Sequence, residues 1–169
     1  RDAIKFKKYE FDAHGVEMNQ RYNSKAVILE GQKEPHFEKD QELYYQPTTF
    51  PGARIPHAWV YDVKGHKHST LDLCGNGNFS IFTGIGGENW VDAARKLGKE
   101  MDIDIKCNII GPKQEFEDHT GEWFTASEIN ESGTILVRPD QHVCWRSFKI
   151  AENAYKELER VLKKILQKG

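Results

Sequence analysis

The sequence predicts an α/β fold, in which a mixed sheet is flanked by helices and is preceded by a strand and an extended connector. Three observations lead to this prediction. A strand, a helix and a second strand follow one another within residues 78–111, an order that requires a right-handed crossover and gives a parallel pair. A hairpin comes next, and an amphipathic helix ends the chain. The 169 residues, 38% of them hydrophobic, suffice for a globular core.

The first 55 residues are polar and irregular, apart from one predicted strand, "SKAVILEG", at residues 24–31. Residues 30–56 are rich in charge and proline and show little periodicity, which predicts an exposed connector. A structureless run of this length is unusual inside a compact domain. We therefore expect two units, residues 1–55 and residues 56–169, joined by this connector.

From residue 57 onward the pattern becomes regular. "HAWVYD" and "KHSTLDL" flank the turn "VKGH" and predict a hairpin. "NFSIFTG" predicts a short buried strand. A helix is predicted from about Glu88, because Trp90, Ala94, Leu97 and Met101 form one apolar stripe.

The remaining elements complete the predicted sheet and its cover. "IDIKCNIIG" is rich in β-branched residues and predicts a second strand. "TILVRPDQHVCWR" predicts a hairpin that turns at Pro139-Asp140-Gln141. The final helix, about residues 151–167, has one apolar side: Ala154, Leu158, Val161, Leu162, Ile165 and Leu166. This order of elements is typical of a thioredoxin-like mixed sheet with flanking helices.

The turn between the central strand and the first long helix carries Gly84, Gly86 and Gly87. Redox proteins of this fold place a cysteine pair there, because a helix N-terminus stabilises a thiolate. No C-x-x-C occurs in the chain, which argues against thiol–disulfide chemistry. The glycines also lack the pattern of a dinucleotide fingerprint or a P-loop. We interpret them as turn residues.

Other chemistry-bearing residues form no recognisable constellation. His66 and His68 alternate on one predicted strand and could begin a metal site, but no third ligand follows from their spacing. The remaining candidates have simpler interpretations. Cys144 is interpreted as a core residue, with His142 alternating beside it on the same strand, and a polar loop contains Asp118, His119 and Glu122. Core or interface aromatics account for Trp90, Trp123 and Trp145. We therefore predict no catalytic, cofactor-binding or metal-binding residue in this chain.

The charge and the cysteine content argue against several further classes of protein. The net charge is −2 without a basic tract, which argues against a nucleic-acid partner. Three widely spaced cysteines, Cys74, Cys107 and Cys144, argue against a disulfide framework and favour the cytoplasm. We expect no membrane partner, since glutamates interleave the basic residues of the last helix: Lys156, Arg160, Lys163, Lys164 and Lys168 with Glu152, Glu157 and Glu159.

Four stretches resemble a known family: "GVEMNQRY", "LYYQPTTFPGARIPHAWV", "STLDL" and "TILVRPDQHVCWR". In this order they are similar to the C-terminal third of the FAD-dependent phenol hydroxylases, in particular the 2,4-dichlorophenol 6-monooxygenase group. The sequence departs from the family in two respects. The final helix from Ala151 is longer than expected, and Cys144 stands where alanine is common.

The resemblance implies a larger enzyme that hydroxylates a phenol beside its oxygen, using FAD, NAD(P)H and O2. Residues 1–55 would be the tail of its substrate/FAD domain with the connector. Residues 56–169 would be its C-terminal, thioredoxin-like domain, which lacks redox cysteines and serves domain docking and dimer contacts. We expect this chain alone to be inactive and to bind no cofactor. Its partners would be the missing N-terminal domains and a second copy, with Arg54 of "PGARIP" at the joint.

Two alternatives are open. The first is a free-standing dimerisation or binding module without catalysis. The missing initiator methionine and the absence of an obvious partner for "SKAVILEG" within the chain favour the larger enzyme over this alternative. The second is an active redox relative of thioredoxin, which the missing cysteine pair opposes.

Overall fold

The computed structural model describes residues 7, 9 and 11–167, so the predicted surface cation Lys168 lies outside the described residues. Its elements in chain order are α1 (His14–Met18), β1 (Trp59–Asp62), β2 (Lys67–Ser69), β3 (Phe79–Thr83), α2 (Glu88–Met101), β4 (Ile105–Ile109), β5 (Phe116–Glu117), α3 (Glu122–Ser127), β6 (Thr134–Val137), β7 (Val143–Ser147) and α4 (Ala154–Leu166).

A four-stranded mixed sheet forms the centre of the fold, in the order β4-β3-β6-β7. β3 and β4 are parallel, with Ile81 opposite Cys107. β6 pairs antiparallel with β3 and with β7, and Ile81 faces Leu136 across the first of these pairs. The predicted parallel pair, closing hairpin and mixed sheet are therefore confirmed.

The predicted hairpin β1–β2 also forms, with Val60 opposite His68. It belongs to a second, three-stranded antiparallel sheet in the order β2-β1-β5. The short strand β5, which pairs Glu117 with Tyr61, was not predicted from the sequence.

Two hydrophobic clusters cover opposite faces of the four-stranded sheet. Alternation along β3 sends Ile81 to one cluster and Phe82 to the other. The first cluster contains the apolar sides of α2 and α4, and Trp90 and Trp145 meet edge to face there with centroids 5.6 Å apart. The second lies beneath the three-stranded sheet and α3, and includes Trp123. Of the two predicted roles for these three tryptophans, core or interface, the structure shows the first, since all three are buried.

A bulge in β7 explains the burial of Cys144. Leu136 pairs with Trp145, whereas the next residue, Val137, pairs with Val143, so Cys144 is an extra residue in the strand. An extra residue interrupts the alternation of side chains. Cys144 and Trp145 consequently both belong to the cluster beneath the helices, and the expectation of a small core residue at 144 is confirmed.

Local hydrogen bonds define where the two long helices start or stop. The Asn153 side chain accepts the backbone N–H of Lys156 at 3.0 Å and caps α4. Asp102 caps the C-terminus of α2: it has a left-handed backbone (φ 54°), and its N–H bonds to the carbonyl of Gly98. Both helices thus occupy the stretches that the apolar periodicity predicts.

The predicted strand at residues 24–31 does not form, and the prediction is wrong. Ile28 nevertheless donates its N–H to the Cys144 carbonyl at 2.8 Å, and its side chain is buried in the first cluster. The Trp145 indole donates to the Glu30 carboxylate at 3.0 Å. Tertiary contacts therefore hold this segment without a regular ladder, and its partners lie within the chain, contrary to expectation.

The predicted exposed connector needs a similar correction. Residues 30–47 are exposed or half-buried, as expected, but residues 48–56 are almost entirely buried. Val143 donates to the Ala53 carbonyl at 2.9 Å and accepts from Gly52 at 2.7 Å. Proline and glycine in this stretch therefore mark a buried extended segment alongside β7.

Candidate functional site

The glycine turn between β3 and α2 is the first candidate site, and its glycines are explained by packing. A Cβ on Gly87 would lie 1.8 Å from Thr83 Oγ1, and one on Gly84 would lie 2.7 Å from the Glu131 carbonyl oxygen. Gly86 has a φ of +84°, a conformation that L side chains rarely adopt. Each glycine is thus required by the turn itself.

Loop residues 130–133 cover this turn. Thr83 Oγ1 donates to the Gly133 carbonyl at 2.5 Å, and Trp90 Nε1 donates to the Ser132 carbonyl at 3.1 Å. The place beside Gly84 and Gly87 where a phosphate would approach the backbone is therefore filled by the protein's own atoms.

The three thiols lie away from the turn and are poor nucleophiles. Burial raises the pKa of Cys74 to about 11 and also raises the pKa of Cys107 and of Cys144 above the usual thiol value. All three are free cysteines. Because the thiolate is the reactive form, these environments oppose thiol–disulfide exchange.

A cavity of about 390 Å³ opens next to the turn, at the carboxyl ends of β3 and β4. Apolar side chains form most of its wall: Ile85, Ile110, Pro112, Trp123, Phe124 and Ile129. Three acidic residues, Glu117, Asp118 and Glu131, also line it, together with His119. Sequence reasoning missed this cavity, because its wall comes from four separate segments.

Asp118 and His119 lie in a polar loop, as expected, whereas Glu122 is the first residue of α3. The Asp118 carboxylate accepts the N–H groups of Gly121 and Phe124, both at 2.9 Å. Glu122, the first residue of this short helix, accepts the Trp59 N–H at 3.2 Å. His119 stacks on Tyr61 with a centroid distance of 4.5 Å. These contacts are structural.

His66 and His68 converge on Asp62, at 3.0 Å and 3.3 Å from its Oδ2. Partial desolvation would raise the pKa of Asp62, but hydrogen bonds from the His66 backbone, both imidazoles and the Lys64 backbone outweigh it, so this pKa lies well below its usual range. Within residues 7, 9 and 11–167, no group of three or more His, Cys, Asp or Glu side chains is arranged to hold a metal ion.

Arg54 and His142 meet where the connector passes the β6–β7 turn. They form an isolated antiparallel bridge. Arg54 Nη2 donates to Gln141 Oε1 at 2.7 Å, and Gln141 Nε2 donates to the Leu71 carbonyl at 2.9 Å. Arg54 therefore joins the connector to the body of the fold, while its proposed part in docking upstream domains stays a prediction.

A polar cluster around the buried Arg146, not predicted from the sequence, secures the connector further. Arg146 is 7% exposed, and its guanidinium donates to Glu128 at 2.5 Å, to Thr49 Oγ1 at 2.8 Å and to Gln32 Oε1 at 2.9 Å. The same Glu128 oxygen accepts Thr48 Oγ1 at 2.8 Å and the Thr49 N–H at 3.1 Å. The Arg146–Glu128 ion pair therefore joins three segments that are distant in sequence: the connector, the end of α3 and β7.

Neither the glycine turn nor the cavity beside it fits the pyrophosphate of FAD. The glycine turn is occupied by Thr83 and loop residues 130–133, so it offers no cradle for a pyrophosphate. The adjacent cavity carries carboxylates, and its lining, drawn from described residues, contains no lysine or arginine.

Basic residues of the last helix form ion pairs with glutamates. Lys163 pairs with Glu159 at 2.9 Å, and Arg160 pairs with Glu157 at 2.7 Å as well as with Glu30. Over the part of the chain that the structure describes, no helix combines the length and apolarity needed to cross a bilayer.

Comparison with known proteins places this fold in a family. Residues 48–168 match the family model described as aromatic-ring hydroxylase, C-terminal. The chain is 47% identical over 166 residues to a 2,4-dichlorophenol 6-monooxygenase of Delftia acidovorans, covering 98% of this chain and 28% of that protein. It is also 47% identical over 147 residues to a phenol 2-monooxygenase of Pseudomonas sp. strain EST1001, covering 87% and 24%.

Solved structures agree. The flavin-dependent monooxygenase PieE, in complex with FAD and substrate, superposes with a TM-score of 0.84 at 42% identity, covering 94% of this chain and 27% of that one. Aklavinone-11 hydroxylase, in a ternary complex with FAD and aklavinone, gives a TM-score of 0.75 at 31% identity, covering 88% and 26%. The chain thus spans about a quarter of the length of the relatives it matches. It belongs to the aromatic-ring hydroxylase family and corresponds to the C-terminal part of its flavin-dependent monooxygenases.

Proposed function

We propose that this chain is the non-redox C-terminal part of an FAD-dependent monooxygenase that hydroxylates a phenol beside its oxygen, with NAD(P)H and O2 as co-substrates. The single observation that supports a non-redox role is the glycine turn, in which packing against Thr83 replaces the cysteine pair. The flavin, bound by the upstream domains, would supply the oxygen chemistry. This part would contribute contacts and stability.

The proposed contacts are of two kinds. Residues 1–55 would be the tail of the substrate/FAD domain, and residues 56–169 the thioredoxin-like domain that docks on it. Support comes from exposed apolar side chains in the N-terminal part, among them Phe11 and Val16, which are 71% and 54% exposed. A second copy of the enzyme would be the other partner, as a homodimer, and the low cysteine content supports a cytoplasmic location.

An FAD titration of the 169-residue chain, followed by flavin absorbance and fluorescence, tests this proposal. We expect no saturable binding, whereas the full-length enzyme, as positive control, should bind tightly. Saturable binding to the 169-residue chain at micromolar FAD would contradict the proposal. The solution mass of the full-length enzyme tests the homodimer: a monomer at micromolar concentration would exclude it.

Arg54→Ala in the full-length enzyme tests the docking role. If Arg54 supports the joint between the domains, we expect lower stability and more NAD(P)H consumed per phenol hydroxylated. Unchanged stability and unchanged coupling would remove Arg54 from the proposal. Lys64→Ala, which removes an exposed charge in the turn between β1 and β2, is the control.

A further inference from the structure

The cavity beside the glycine turn lies where the chain diverges after two parallel strands. From β3 the chain passes into α2, which packs in the first hydrophobic cluster. From β4 it passes to Ile110 and Phe116, which belong to the second cluster on the opposite face. Ligands of open α/β sheets bind in crevices of this kind, outside the carboxyl ends of strands whose connections leave toward opposite faces.

The wall of the cavity suits an aromatic ring. Trp123 is 5% exposed and is held against Phe82, with ring centroids 5.3 Å apart, so this side of the wall is fixed before any ligand arrives. Phe124 and Ile85 also line the cavity but are 67% and 38% exposed, so that their apolar surface faces solvent. A volume of about 390 Å³ lies within the range of small-molecule sites.

The charge of the lining selects among aromatic molecules. Two of the three carboxylates already have donors: Asp118 accepts the N–H groups of Gly121 and Phe124, and Glu117 accepts the Lys113 N–H at 2.8 Å. The Glu131 carboxylate makes no hydrogen bond or ion pair with any residue that the structure describes. An incoming O–H, N–H or ammonium group would gain an acceptor here, whereas an anion would be repelled.

We propose that this cavity is a binding site for a small aromatic molecule that is neutral or cationic and carries a hydrogen-bond donor for Glu131. The ring occupies the space between Trp123 and Phe124, and the donor points to the carboxylate side. All residues that line this site lie within residues 83–131.

Three probes of matched shape test this assignment on the 169-residue chain: indole, tryptamine and indole-3-acetate, which are neutral, cationic and anionic. Binding is followed by two-dimensional 1H–15N NMR. We expect saturable binding of tryptamine and indole, and at least tenfold weaker binding of indole-3-acetate. The Trp123 indole N–H signal should shift, while that of Trp145, on the opposite face of the sheet, should not.

Variants separate the site from nonspecific binding. Phe124→Ala should weaken indole about threefold to tenfold, the loss expected for one aromatic contact. Phe11→Ala removes an equally exposed ring elsewhere and should leave binding unchanged. Glu131→Gln should reduce the ratio of the affinities for tryptamine and indole-3-acetate without changing the melting temperature. An unchanged melting temperature would show that Glu131 recognises the ligand and does not stabilise the fold.

Three results would overturn the proposal. One is the absence of saturation by indole and tryptamine up to millimolar concentration. Another is equal affinity for the anionic and cationic probes. The third is equal weakening by Phe124→Ala and Phe11→Ala, which would show that exposed rings in general, and not this cavity, hold the probes.

Discussion

Replacing Glu128 by alanine removes the carboxylate on which the connector, α3 and β7 converge. In the native protein one oxygen of Glu128 accepts hydrogen bonds from Arg146 at 2.5 Å, from Thr48 Oγ1 at 2.8 Å and from the Thr49 N–H at 3.1 Å. The variant leaves the Arg146 guanidinium buried with two neutral partners, Thr49 and Gln32.

The cost follows from the burial of the two partners. Removing one member of a buried ion pair costs roughly 3–5 kcal/mol, because the other charge is left without compensation. The Arg146 side chain is 8% exposed, which fits that case, but Glu128 is 35% exposed and water will replace part of its interaction. We therefore expect Glu128→Ala to lower the free energy of unfolding by about 2–3 kcal/mol. Glu128→Gln, which keeps an acceptor but no charge, should cost about 1 kcal/mol.

Urea denaturation followed by tryptophan fluorescence measures these differences, and Glu157→Ala is the matched control. Glu157 is 34% exposed, like Glu128, but its partner Arg160 is 47% exposed, so that variant should lose less than about 1 kcal/mol. Hydrogen exchange at the Thr49 amide should accelerate in Glu128→Ala alone. Equal small losses in Glu128→Ala and Glu157→Ala, with unchanged exchange at Thr49, would refute the reasoning.

Three further predictions concern the turn, the histidine cluster and the thiols. Gly87→Ala should cost about 2–3 kcal/mol by forcing Thr83 out of its place, and less in a Thr83→Ala background; equal costs in both backgrounds, measured by urea denaturation, would contradict the packing argument. Because the folded-state pKa of Asp62 lies below its unfolded value of about 3.9, its contribution is present above that pH and is lost as the pH falls. Asp62→Asn should therefore flatten the acid side of the stability–pH curve, and an unchanged slope in acid denaturation would exclude this role. Cys74 and Cys144 should react with Ellman's reagent at pH 8 far more slowly in the folded than in the urea-unfolded chain, because both are buried and have raised pKa values; rapid labelling of the folded chain would show otherwise.

Local periodicity accounts for the elements that could be predicted from the sequence. The apolar stripe of α2 and that of α4 each pack on the sheet, so the sequence pattern and the packing coincide. β3 is rich in apolar residues because it is covered on both sides, with Ile81 in one cluster and Phe82 in the other. The relation between the two hairpins could not be predicted from local sequence, because nothing within β1 and β2 indicates that they belong to a separate sheet.

The missed features depend on contacts between distant residues. α3 has six residues and too little periodicity to be recognised, although an aspartate three residues before Gly121 is a usable signal for its start. The Arg146–Glu128 pair joins β7 to the end of α3, and Thr49 approaches it from 97 positions away in sequence. Ile28 is buried by tertiary packing although its neighbours form no ladder. The cavity could not be predicted either, because its wall is built from four segments that lie apart in the sequence, within residues 83–131.

The segment beside β7 also limits how this protein can assemble. The order β4-β3-β6-β7 would leave the outer side of β7 unpaired, and such strands recruit strands from other molecules. Here Gly52 and Ala53 bind both polar backbone groups of Val143, and Ile28 binds the carbonyl of Cys144. A second copy therefore cannot extend the sheet at these positions. A chain shortened to begin at residue 56 would lose this protection, and the exposed edge of β7 could then pair with strands of other molecules.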